Sequence, residues 1–194
     1  MKKSLRLLIY FTAIILLLPA CKSDDDTSTS PIDSAGKLIF DGVEYAIAKA
    51  VSYTEARPST QDYFFDITFL TANTEIGINE DFRGDGTVFS FSFINETNTF
   101  LSNGEYMIPT SSTENVFDIY FCELFIDYDF APSLGSFSYD FSAQVGYYDV
   151  TQNATVLINR TESTYAIIGS GVTDDGRSFS LQYAGTLEVD PDSE

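Results

Sequence analysis

Asp127 and Asp129 lie two residues apart in a stretch of alternating side chains, which would put both carboxylates on one face of a strand about 7 Å apart. Paired carboxylates serve glycoside hydrolysis, one as acid and the other as base or nucleophile. In a chain with 29 acidic and 10 basic residues such a pair also arises by composition alone. Nothing beside these two residues supplies a sugar platform or an environment that would raise one pKa, so they are read as solvated strand residues and no catalytic residue is assigned. A second concentration of oxygen donors is Asn79-Glu80-Asp81-Phe82-Arg83-Gly84-Asp85-Gly86, where a calcium ion would find carboxylates and carbonyls on a turning backbone. Asp81 and Asp85 are the candidate ligands. Arg83 and Ser90 occupy positions where an EF-hand would place ligands, so the plainer reading is a solvated hairpin loop, and no cofactor is expected. Asp174-Asp175-Gly176 is read the same way, since Asp-Gly is turn chemistry. Tyr128, Tyr147 and Tyr148 are candidates for a sugar-binding surface, with packing as the competing role.

The absence of His removes Ser-His-Asp and Cys-His nucleophiles, His-ligated zinc and His acid-base catalysis. Two cysteines cannot make a Cys-based zinc cluster. Cys122, with no His to activate it, is read as a small buried hydrophobe. A net charge of −19 is opposite to what phosphate binding needs, so nucleic acid is excluded as a partner. Cations and basic surfaces suit it better.

The elements that must position any site are strands. Phe137, Tyr139, Phe141, Ala143, Val145 and Tyr147 alternate with polar residues, as do Phe89, Phe91 and Phe93 over Ser90 and Ser92. The same period runs through Tyr63 to Phe69 and Phe179 to Tyr183, and further strands are expected over 37–40, 43–53, 105–108, 116–126, 154–160 and 165–172. Asp41-Gly42, Gly84-Asp85-Gly86, Asn103-Gly104 and Asp174-Asp175-Gly176 punctuate them as turns. Past Phe121 the apolar residues move from odd to even positions, which predicts a bulge or corner near Cys122. No helical period follows Ser30. The chain is therefore expected to be all-β, a single antiparallel β-sandwich, with an up-and-down β-barrel as the alternative.

Lys2, Lys3 and Arg6 lead into an apolar run from Leu7 to Leu18, too short to span a bilayer and suited to a secretory signal. With Leu18-Pro19-Ala20-Cys21 behind it, this segment resembles the bacterial lipoprotein signal peptide. The resemblance implies cleavage before Cys21, lipidation of its sulfur and acylation of the new amino terminus, an attachment that several acyl chains make stable. Residues 1–20 are then the signal peptide, 21–35 the lipidated Cys and an acidic flexible tether, 36–189 the all-β domain and 190–194 a disordered acidic tail. The mature chain carries 7 basic against 29 acidic residues, a net of −22.

Lys22-Ser23-Asp24-Asp25-Asp26 is similar to the surface-export signal of Bacteroidota lipoproteins, which implies the outer face of the outer membrane. Read only as a solvated linker, it leaves the periplasmic face open. Asp33-Ser34-Ala35 is similar to the O-glycosylation acceptor of that phylum and implies Ser34 as the modified residue. Gly36 to Tyr45, Gly104 to Ile108, and Tyr165 to Gly185 resemble the opening hairpin, central Gly-x-Tyr strand and closing hairpin of small Bacteroidota lipoproteins. No activity comes with that resemblance.

The expectation is a lipid-anchored, surface-exposed, non-catalytic binding module whose partners are the membrane, through its lipid, and a glycan or envelope protein. The alternative is a carboxylate-based polysaccharide-active enzyme. An exposed aromatic patch without a deep cleft favours the first; a cleft with converging carboxylates, one of raised pKa, favours the second.

Overall fold

Asp41 and Gly42 take φ values of 49° and 82°, the left-handed pair that a two-residue hairpin turn requires, and join β1 (Gly36–Phe40) to β2 (Val43–Ile47). The computed structural model describes residues 36–58, 60–76, 82–110, 114–130 and 146–190. Within them follow β3 (Lys49–Ala56), β4 (Tyr63–Leu70), β5 (Thr74–Ile76), β6 (Phe82–Asn95), β7 (Gly104–Met107) and β8 (Ile119–Phe130). The chain ends through β9 (Tyr147–Asp149), β10 (Thr155–Thr161), β11 (Thr164–Val172), β12 (Ser178–Thr186) and β13 (Glu188–Val189). No helix among the described residues is long and apolar enough to cross a membrane.

The strands form two sheets, and the fold is a β-sandwich that does not close into a barrel. The first sheet has the order β2-β1-β12-β11-β10-β7 and the second β13-β3-β4-β6-β8-β9, with β5 paired to the start of β6. Described pairings between strands are antiparallel except β13 with β3. Alternation explains the packing. Phe65, Ile67 and Phe69 of β4 and Phe89, Phe91 and Phe93 of β6 turn inward and meet Phe179, Leu181 and Tyr183 of β12. Phe69 lies 5.3 Å from Tyr183 and Phe89 5.0 Å from Phe179, ring to ring, edge-on across the two layers. Each such ring removed from water stabilises the fold by about 2–3 kcal/mol.

Two strand expectations need correction, and a third is refined. Residues 43–53 are two strands, because the chain bends at Ala48 and passes from the first sheet to the second, burying Ile47 and Ala50 in the same core. Gly84-Asp85-Gly86 is not a turn between strands. It lies inside β6, where positive φ at both glycines bends a long strand. A Cβ at Gly84 would come within 2.0 Å of the Asn73 carbonyl oxygen, so glycine is required for the backbones to approach. The phase change expected near Cys122 is present, produced by two bulges that flank it. One lies near Tyr120, where β6 residues Ser92 and Phe93 pair with Phe121 and Ile119. The other is opposite Thr87, at Ile126 and Asp127. Asp127 carries a φ of 48° there. The alternating segment 137–145 lies outside the described residues.

The second bulge has a packing consequence. Past it, Tyr128 and Phe130 join Phe125 on the outer face of the second sheet, over Val51, Leu70 and Val88, with Ile76 and Phe82 packed against them. That end of the sheet thus carries a small apolar cluster of its own on the side away from the main core.

Candidate functional site

The outer face of the second sheet carries two rungs fixed by register. One runs Val51, Thr68, Ser90, Glu123, Asp149, and its neighbour Tyr53, Asp66, Ser92, Phe121. Side chains of different size decide its shape. Ser90 and Ser92 on the central strand β6 are short, while Asp66 and Thr68 rise from β4 on one side and Phe121 and Glu123 from β8 on the other. The result is a trough of about 230 Å³ along β6, whose lining also includes Tyr53, Ile76, Phe82 and Asp190. The Thr68 and Ser90 hydroxyls are 3.1 Å apart across its floor. No Lys or Arg lines it among the described residues.

Glu123 is the electrostatically unusual member. Burial against the apolar cluster pushes its carboxyl up to about 7, helped by the charge of Asp149 and opposed by a hydrogen bond from Tyr147. The single Tyr147 hydroxyl proton is shared between Glu123 and Asp149, whose Oδ1 lies 2.5 Å away, and burial first, then these carboxylates, raise the phenol well above its ordinary range. Phe121 keeps 39% of its surface exposed and Tyr120 53%, so β8 presents rings to solvent beside the half-buried Glu123.

The other sequence candidates fall elsewhere. Asp127 and Asp129 are both exposed and do not line the trough; Asp127 accepts a hydrogen bond from the Tyr45 hydroxyl at 3.3 Å. Asp85 sits inside β6, paired across strands with Asp129. Among the described residues no three His, Cys, Asp or Glu side chains converge on a metal position. Asp174 ties two loops, accepting from the Thr151 backbone at 3.0 Å and its hydroxyl at 2.9 Å. Asp175 accepts from Thr173 at 2.6 Å. Tyr128 is buried beside Phe125 and Phe130, and Tyr147 packs on the same cluster. Tyr148 packs at a tilt against Phe40, centroids 4.7 Å apart, and takes the Arg177 guanidinium over its ring at 4.8 Å. Cys122 is buried, and burial pushes its thiol up. Cys21, Ser34, Glu80 and Asp81 lie outside the described residues, as do the leader and tether 1–35 and residues 191–194 of the tail; Asp190, expected to begin that disordered tail, is instead buried, its N–H donating to the Ser52 carbonyl at 2.9 Å.

Sequence reading missed Asp66, Glu123 and Asp190. The available signal was the Ser-Phe-Ser of β6, short polar residues alternating with large apolar ones. Its meaning depends on which strands flank it.

Comparison with family models, with curated proteins and with solved structures gives no match to this chain. Fold and site therefore define a β-sandwich with an open, acid-lined trough on one outer face.

Proposed function

We propose that this protein is a lipid-anchored, non-catalytic binding module of the outer membrane, directed to the cell exterior, which holds a glycan along the trough over β6. The observation that carries the reading is the trough itself. Its short serine floor and open length suit an extended ligand, its carboxylates and hydroxyls accept and donate to sugar hydroxyls, and Phe121 and Tyr53 offer ring surface. The leader through Cys21 supports the anchor, and a tether over 21–35 would allow the domain to range about 20 Å from the membrane.

A carboxylate-based hydrolase is favoured by one observation, the raised pKa of Glu123. Geometry weighs against it: Asp149, the carboxylate next to Glu123 in its rung, lies outside the trough lining, and Asp66 rises on the far side of β6, which is not a pair of carboxyls facing one bond as in glycosidases.

Two expected results test the reading. Protease treatment of intact cells removes the domain while a periplasmic lipoprotein in the same cells survives; survival of both would place the domain inside the envelope. The full-length protein, solubilised in detergent, is retained by an immobilised polysaccharide from a panel, and Ser90→Leu, which fills the trough, weakens retention at least tenfold without changing the near-ultraviolet spectrum. Equal retention of the variant rejects the trough as the site. Shortening of the retained polysaccharide assigns hydrolysis instead.

A further inference from the structure

We propose that the outer face of the first sheet is a self-association surface, on which a second copy of this chain packs face to face. The inference is independent of the glycan reading, because the trough opens on the outer face of the other sheet. Alternation turns every second residue of the six strands outward here. Met107, Leu157, Ile168 and Val172 all stand on this face, each with 40–53% of its surface exposed. They are half of the large hydrophobic side chains exposed among the described residues. Apolar exposure gathered on one face marks an interaction surface, whereas scattered exposure does not.

Charge singles out the partner. With 29 acidic and 10 basic residues in the chain, two copies repel each other over most of their surface. The outward strand positions of this face carry only Lys37, Glu44 and Glu105 as charged residues, and β10, β11 and β12 contribute none. A basic partner finds little here to pair with. A second copy finds the one sheet face that does not repel it.

The face also complements itself. Its central rung runs Glu105, Leu157, Ile168, Gln182, Lys37, Ala46 from β7 to β2. A twofold axis laid along β11 through Ile168 reverses that order in the second copy. Ile168 then meets its own counterpart, Leu157 covers the stem of Gln182, and Glu105 faces Lys37 across the axis. Within one copy these two charges are four strand spacings apart, about 19 Å, and so cannot pair. Lys37 lies 3.4 Å from Glu44, and its ammonium has donors left for a second carboxylate.

The area suffices. Six strands about 4.8 Å apart and about 22 Å in average length give a face of roughly 600 Å². A specific interface needs about 500 Å² a side. Two copies joined in this way leave both troughs open, on opposite sides of the pair.

The test is sedimentation equilibrium of the full-length protein in density-matched detergent, with micelles in excess of protein. The expected result is a dimer of chains that dissociates on dilution, with Ile168→Lys raising the dissociation constant at least tenfold. Val43 is equally exposed, at 54%, but is turned to the other side of the same sheet opposite Phe40, so Val43→Lys leaves the constant within twofold. Glu105→Lys and Lys37→Glu each weaken the dimer about tenfold, and the double exchange returns it to within threefold of the wild type. Near-ultraviolet circular dichroism matching the wild type shows that each variant is folded. Monomers at every concentration overturn the proposal, whatever else then covers the face. A dimer that Ile168→Lys leaves unchanged overturns it equally, and one that the double exchange does not restore overturns the axis along β11.

Discussion

Asn95→Asp is expected to lower stability by about 4 kcal/mol. Asn95 ends β6 with 0% of its surface exposed. Its amide nitrogen donates to the Thr97 carbonyl at 2.6 Å and the Phe100 carbonyl at 2.7 Å. Its amide oxygen accepts from the Ser102 backbone at 3.0 Å and lies 3.1 Å from the Tyr106 hydroxyl. These contacts shape the connection that carries the chain from β6 in the second sheet to β7 in the first. A carboxylate keeps the acceptor side but turns two donations into two repulsions, in a site from which water is excluded. Urea unfolding at pH 7 measures the loss. Lowering the pH protonates the new carboxyl and restores one donor, so part of the stability should return on acidification. A loss under about 1 kcal/mol would show that the connection is held by its other contacts, among them the Leu101 backbone donating to the Tyr165 hydroxyl at 3.2 Å.

The second large effect is a stability that declines as pH rises, traceable to one side chain. Glu123 is held at about 7 in the fold by burial and by Asp149, against about 4.3 in an unfolded chain. Below the lower value both states are protonated and the carboxyl costs nothing. Between the two values the unfolded chain gives up its proton while the fold retains it, so stability falls. Above 7 the cost levels off near 3 kcal/mol. Asp62 works in the opposite sense. Although burial raises its pKa, hydrogen bonds from Thr60 and the charge of Arg57 outweigh that and lower it, so its contribution is lost only in acid. Glu123→Gln keeps an acceptor for Tyr147 and removes the titration. The variant should match the wild type at pH 4 and exceed it by about 3 kcal/mol at pH 8 in urea unfolding. Parallel curves for the two proteins across this range would reject the assignment.

The regular strands were legible because burial on one face writes a period of two into the sequence. Tyr63 to Phe69, Phe89 to Phe93 and Phe179 to Tyr183 all turn their rings inward as that period requires. What escaped depends on contacts between distant segments. The bend at Ala48 lies inside an unbroken apolar-polar run, and only the hydrogen bond from its N–H to the Leu70 carbonyl, at 2.9 Å, shows the chain changing sheets. β5 and β13 are too short to show any period. The phase change in β8 was visible, but one bulge cannot be told from two without the partner strand. The site was hidden for the same reason. Asp66 and Glu123 read as ordinary polar positions of separate strands until register sets them on either side of Ser90 and Ser92. Asp127 and Asp129, conspicuous by spacing, lie outside the trough.

The pairing of β1 with β12 joins the two ends of the domain, setting Gly36 against Tyr183. The hairpin of β1 and β2 thus waits for its partner in the sheet until a strand near the end of the domain is made. Closing so long a loop before any pairing rewards it slows folding toward the millisecond-to-second range of β-sandwiches. During synthesis the first sheet cannot be completed until nearly the whole domain is available, although its local hairpins can form earlier.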